Sequence, residues 1–250
     1  MQANELNPNV QVFDDPELVA REAAGLFVRI SIEAVSTRGV FSVALSGGST
    51  PRRIYELLAS DDYRTQVSWP NVHIFFGDER TVPPDHADSN YRMANEALLS
   101  QVPVPLKNVH RMNGVGDAAA SASEYESELR AFFGDQTWPR LDLVMLGMGD
   151  DGHTASLFPG SAALEEQSRW VVANWVEKFQ TWRITLSAPA INAARHVLFL
   201  VTGAGKAERL REVLKGEREP ARLPSQLIQP SDGTLSWLVD RAAAARLEGV

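Results

Sequence analysis

The sequence predicts an α/β fold of three layers, a Rossmann-like and largely parallel sheet with helices on both faces. Three observations carry that expectation. Short apolar runs recur along the chain, longer stretches of helical spacing lie between them, and polar glycine-rich clusters directly follow several of the runs. A parallel strand covered on both faces must be apolar at nearly every position, because alternate side chains point to opposite faces and neither face meets water. Strands alternating with helices then stack into layers.

Taken in order, Val19, Ala23, Leu26, Phe27, Ile30 and Ala34 share one face of a first helix. Phe41–Leu45 reads as a strand, and SGGSTP follows it, with Pro51 suited to an early helical position. Val72–Phe76 is the next strand, ended by GDER; Asp88–Tyr91 then reads as a helix start capped by Ser89 or Asn90. Ala122, Tyr125, Leu129, Phe132 and Phe133 make a second helical face. Leu141–Leu146 is a strand ended by GMGDDGH, and Val197–Val201 is one ended by TGAGKA. Trp170–Val176, Trp182–Leu186 and Leu235–Val239 complete the strand candidates, with an irregular excursion from Gly216 to Pro230. No internal repeat, low-complexity tract or dividing linker interrupts the chain, so residues 1–250 are expected to form one domain.

A chain of 250 residues can bury a substantial core, and its 44% hydrophobic and 22% charged content is that of a globular protein. The net charge of −8 argues against a general nucleic-acid binder, yet leaves room for a local basic pocket. The absence of cysteine excludes disulfides, thiolate metal sites and cysteine nucleophiles. No apolar run reaches the ~18 residues of a membrane span. The opening MQANELNPNVQVFDD is polar and acidic, unlike a secretory signal. A cytoplasmic protein, monomeric or a small homo-oligomer, with neither membrane nor nucleic acid as partner, is expected.

Four polar clusters at four strand ends point to one composite site, because ligands of open α/β sheets bind beyond the carboxyl ends of the strands. Within GMGDDGH, Gly147, Gly149 and Gly152 formally match a dinucleotide fingerprint. Asp150 and Asp151 lie inside it, where they would repel a pyrophosphate, and no acidic strand end follows at the required distance. A metal on Asp151 and His153 needs further ligands, and His73, His86 and His110 are scattered without diagnostic spacing. Neither a cofactor nor a metal is therefore expected. Taken alone, the loop is either a solvated turn whose His caps a following helix, or an acid–base site in which a carboxylate orients an imidazole.

GMGDDGHTASLFPG, together with FGDERTVPPDHADSNYRMA and LSGGSTP, closely resembles the 6-phosphogluconolactonase family; RITLSAPAIN and GAGKA extend the match over roughly Val43 to Ala207. The resemblance implies hydrolysis of 6-phospho-D-glucono-1,5-lactone to 6-phosphogluconate in the oxidative pentose phosphate pathway, without a cofactor. It implies that Ser46, Gly47, Gly48, Ser49 and Thr50 cradle the substrate phosphate, with Arg183 and Lys206 as cationic partners. Asp78 and Arg80 would line the pocket, Arg80 facing the forming oxyanion. His153 would act as general base on water and Asp151 would orient it. Glu79 is expected to be structural.

Three other readings compete with this one. A Ser–His–Asp hydrolase lacks its G-x-S-x-G elbow, and neither Ser46 nor Ser156 has that context. The related aminosugar-phosphate isomerases/deaminases carry a Glu five residues after the loop His, where this chain has Phe158, and usually an aromatic residue where it has Arg80. A noncatalytic sugar-phosphate sensor would need Arg183, Lys206 and SGGST but not His153.

Overall fold

The computed structural model describes residues 9–247. In chain order the elements are β1 (Asn9–Phe13), α1 (Pro16–Arg38), β2 (Phe41–Leu45), α2 (Ser49–Ala59), α3 (Asp61–Arg64), β3 (Val72–Phe76), β4 (Asp78–Arg80), α4 (Asn90–Ala94), α5 (Ala118–Phe133), β5 (Leu143–Gly147), β6 (Val171–Val176), β7 (Thr181–Leu186), α6 (Ala188–Asn192), β8 (His196–Val201), α7 (Ala207–Lys215) and β9 (Thr234–Asp240). Short 3₁₀ turns join several of them, and the stretch from Gly216 to Pro230 is irregular apart from one such turn, Pro224–Leu227.

Six strands form one sheet in the order β1-β9-β8-β5-β2-β3, and every neighbouring pair is parallel. All five residues of β2 are buried, as a strand paired on both sides and covered on both faces requires. Aromatic contacts place the helical layers. In the β2–β3 register Phe41 and Phe76 share a face, while Phe75 points the other way. Phe41 meets Phe27 of α1 at 5.1 Å and Phe76 meets Tyr91 of α4 at 6.0 Å; Phe75 meets Phe132 of α5 at 5.2 Å. Helices therefore cover both faces.

The local starts follow the residues. Asp15 caps α1 by accepting from Leu18 N–H at 2.9 Å, with Pro16 first in the helix, and Ser89 caps α4 through Arg92 N–H at 3.1 Å. The apolar run at Leu141 enters the ladder only at Leu143. The Asp142 carboxylate takes the Ser42 N–H at 2.8 Å, a donor that would otherwise serve a neighbouring strand.

Three departures from expectation matter for the site. Asp78–Arg80 is a strand, not a loop: it pairs antiparallel with β7, and β7 pairs antiparallel with β6, giving a second three-stranded sheet. The two tryptophan-bearing runs thus form a hairpin outside the parallel sheet. β1 is an additional edge strand beside β9. Finally, no helix follows His153; the chain there makes a tight Thr154–Leu157 bridge.

Candidate active site

The carboxyl ends of β2, β3, β5 and β8 lie along one edge of the sheet because those strands are parallel. A cavity of about 350 Å³ opens there, lined by residues from all four following clusters. It collects Ser46, Gly47, Gly48, Ser49, Thr50, Asp78, Arg80, His153 and Lys206. Asp151 and Arg183 are not in its lining.

The SGGSTP turn joins β2 to α2. No side chain caps the start of α2, so the first-turn N–H groups at its positive end have no side-chain acceptor, and Ser49 and Thr50 lie in the cavity lining. Gly47 is required by close approach: a Cβ there would lie 1.9 Å from Asn90 Oδ1. Ser46 is held at its backbone by the buried Tyr55 hydroxyl, which accepts from Ser46 N–H at 3.0 Å and donates to Ser46 C=O at 2.9 Å. The Ser46 hydroxyl is itself enclosed with no hydrogen-bond partner among the described residues.

β4 carries the opposite wall. Asp78 is buried, accepting from Ser156 Oγ at 2.6 Å and lying 3.2 Å from Asn90 Nδ2. Glu79 points away from the cavity, where its carboxylate accepts from the N–H groups of Arg80, Asn90 and Tyr91, each at 2.8 Å, and from Ser89 Oγ at 3.0 Å. Burial pushes its pKa up, opposed by those N–H donors. It ties β4 to the start of α4, the structural part expected of it. Arg80 reaches the cavity and donates to Asp88 C=O. Arg183 sits opposite Arg80 in the β4–β7 ladder, half-buried, with its guanidinium 5.7 Å from the Phe179 ring centroid. Burial, reinforced by the Arg80 cation, lowers its pKa.

The third wall is the loop after β5. Asp151 Oδ1 lies 2.5 Å from His153 Nδ1, and the imidazole stacks on Phe158 with centroids 4.0 Å apart. Backbone bonds from Gly149 N–H to His153 C=O at 2.8 Å and from Ser225 N–H to Gly152 C=O at 2.9 Å pin the turn. Burial raises the Asp151 carboxyl, but hydrogen bonds from His153 and Lys178 outweigh it and hold it below the usual carboxylate range. His153 Nε2 has no protein partner among the described residues. His73 and His110, by contrast, pair with each other at 3.0 Å away from the cavity lining, and His86 accepts from Asp88 N–H. Among the described residues no group of three or more His, Cys, Asp or Glu could hold a metal.

The fourth wall follows β8. Thr202 Oγ1 lies 2.8 Å from Thr50 Oγ1, and the buried Asp240 carboxylate accepts from Gly203 N–H at 3.0 Å. Lys206 stands in the lining; its backbone N–H donates to Gly203 C=O at 3.0 Å, while its ammonium has no hydrogen bond or ion pair to the protein among the described residues. Sequence reasoning did not single out Thr202 or Asn90 as wall residues, although both lie inside quoted motifs. Asn90 was legible only as a helix-start residue. The arrangement offers a helix terminus and a cation for an anion, and a carboxylate-oriented imidazole facing the same space.

Residues 14–237 match the family model described as glucosamine-6-phosphate isomerases/6-phosphogluconolactonase. The chain is 42% identical to the 6-phosphogluconolactonase of Nostoc sp., covering 94% of this chain and 95% of that protein. It is 38% identical to a rice protein, probable 6-phosphogluconolactonase 3, chloroplastic, over 96% of this chain and 76% of the relative. The solved 6-phosphogluconolactonase from Trypanosoma cruzi superposes with a TM-score of 0.87 at 33% identity, covering 96% of this chain and 97% of that one. No helix among the described residues is long and apolar enough to cross a membrane. With fold, motif order and near full-length similarity in agreement, the chain belongs to the 6-phosphogluconolactonase family, within the wider glucosamine-6-phosphate isomerase/6-phosphogluconolactonase group.

Proposed function

We propose that the chain hydrolyses 6-phospho-D-glucono-1,5-lactone to 6-phospho-D-gluconate in the oxidative pentose phosphate pathway, in the cytoplasm, with His153 as general base. The observation that carries the reading is His153 on the wall of a cavity that also holds the uncapped start of α2 and Lys206, with Asp151 2.5 Å behind the imidazole at Nδ1. The substrate phosphate sits on the Ser49 and Thr50 N–H groups and Lys206; Arg183 adds positive charge from the flank beside Arg80. Ser46, Gly47 and Gly48 complete the phosphate cradle, and Asp78 lines the pocket beside the sugar.

With Nδ1–H donated to Asp151, the imidazole keeps its lone pair on Nε2 and takes a proton from water as the oxygen attacks the lactone carbonyl. The Arg80 guanidinium stabilises the oxyanion. Collapse of the tetrahedral intermediate breaks the bond to the ring oxygen, and His153 returns its proton to that oxygen. The lactone is already an activated ester, so no covalent nucleophile is needed. Phe158 against the imidazole supports the lactonase reading over the aminosugar-phosphate one, whose Glu stands at that position.

The test is lactone disappearance measured against spontaneous hydrolysis. Wild type is expected to accelerate it, and His153→Ala to lose about 10²–10⁴-fold in kcat, the range general acid–base assistance supplies. Undiminished turnover in the variant would refute the base; no turnover in either protein would favour a sugar-phosphate sensor.

A further inference from the structure

The hairpin of β6 and β7 turns through a 3₁₀ turn, Glu177–Phe179, that lies against the Asp151–His153 loop. Lys178 Nζ is 3.0 Å from Asp151 Oδ2 and 3.4 Å from Asp150 Oδ1. The Asp151 carboxylate is thus held at both oxygens, by His153 on one and Lys178 on the other. The next residue, Phe179, meets Phe158 edge-on at 5.8 Å, and Phe158 is the ring on which His153 stacks. One turn of the second sheet therefore touches both supports of the imidazole. Lys178 itself does not line the substrate cavity; it faces a neighbouring hollow of about 690 Å³ together with Asp151 and Phe158.

We infer that Lys178 is a positioning residue, clamping the Asp151 carboxylate in the orientation that aims His153 and limiting the negative charge the imidazole feels. The inference rests on the reading of His153 as general base. Hydrogen bonding to Asp151 raises the Lys178 pKa, so the clamp is charged throughout the neutral range. The other charged groups around the pair include Asp150 on its own loop, Glu177 in the neighbouring hollow, Arg209 of α7, which donates to Asp150 C=O, and Lys206, Arg80 and Asp78 in the cavity lining. Lys178 is the cation on the face of Asp151 turned from the substrate cavity. Its removal leaves the carboxylate to the imidazole alone and takes away a nearby positive charge. Both changes favour the protonated imidazole, which cannot act as base.

The experiment compares Lys178→Met, Lys178→Arg and His153→Ala in the full chain. Lys178→Met is expected to lower kcat about tenfold by misaligning the base, with KM unchanged. The acidic limb of its pH–kcat profile should move to higher pH, and Lys178→Arg should recover most of the loss. In proton NMR, the His153 ring signal, assigned by its absence from His153→Ala, should titrate at higher pH in Lys178→Met. A wild-type titration and profile in Lys178→Met, or an effect on KM alone, would overturn the inference. Full activity in His153→Ala would instead remove the general base, and the NMR titration would still decide whether Lys178 governs the Asp151–His153 pair.

Discussion

A methyl group on Gly149 would sit 2.1 Å from His153 Nδ1 and 2.8 Å from Asp151 Oδ1. Glycine stands there because the imidazole lies directly over the backbone, and nothing larger leaves room for it. Gly149→Ala is therefore expected to cut kcat by about 10²-fold through displacement of the base, while the melting temperature falls by only a few degrees. Paired kinetics and thermal melts check this; an unaltered kcat would show that the ring is free to settle elsewhere. At this scale the chemically distinctive residues were legible. His153, Asp151, Arg80 and Lys206 were singled out through the family resemblance of their motifs, since each residue taken alone also fits a solvated turn or strand end, and the structure brings His153, Arg80 and Lys206 to one cavity. Asn90 and Thr202 were not legible as cavity walls, because a small neutral polar residue at a helix start or strand end reads equally well as a cap or a turn. Arg183 was legible as a cation, but a ladder position opposite Arg80, outside the lining, follows from strand pairing alone.

Glu79 acts on the scale of elements. Its single carboxylate organises the end of β4 and the first turn of α4, which together carry Asp78, Arg80 and Asn90 to the cavity. Glu79→Gln replaces one acceptor oxygen by an NH₂ group that must confront backbone donors. The loss is expected to be about 1–3 kcal/mol, read as a lower urea midpoint, with kcat/KM falling as Arg80 and Asn90 loosen. An unchanged midpoint would mean the junction is held by other contacts. The strands of the parallel sheet were readable because burial on both faces demands unbroken apolar runs. β4 escaped notice because its three residues, Asp-Glu-Arg, are all charged, and it is a strand only by virtue of β7. β1 escaped because an edge strand half open to solvent needs no such run. Antiparallel pairing of β6 with β7 was likewise invisible, since apolar pattern locates a strand without naming its partner.

For the molecule as a whole, acid stability offers a test. Burial pushes the Glu166 carboxyl up, but the N–H groups of Arg169 and Ser168, the Ser168 hydroxyl and the Arg169 guanidinium overcome this and bring its pKa down to about 2 from 4.5. A folded-state pKa below the unfolded one contributes stability that is present above the unfolded value and lost as pH falls through the folded one. The stability gap between wild type and Glu166→Gln should accordingly be open at pH 7 and close between about pH 4.5 and 2. Urea unfolding of both proteins at several pH values measures it, and a gap constant with pH would exclude this carboxylate as the source. Glu166 lies just before β6, so the entry to the smaller sheet, and with it the Lys178 turn, is expected to loosen first in acid.

The sequence by itself determined the alternation of strands and helices, the burial of the parallel sheet, and the gathering of four polar clusters at its carboxyl edge. Those follow from local period and from the shared direction of parallel strands. Only the tertiary structure decided that a second, antiparallel sheet leans against the Asp151–His153 loop, that Glu79 turns inward while Asp78 and Arg80 face the cavity, and that Lys178 reaches Asp151. Such contacts depend on which surfaces meet in three dimensions, and the local period of the sequence does not encode that.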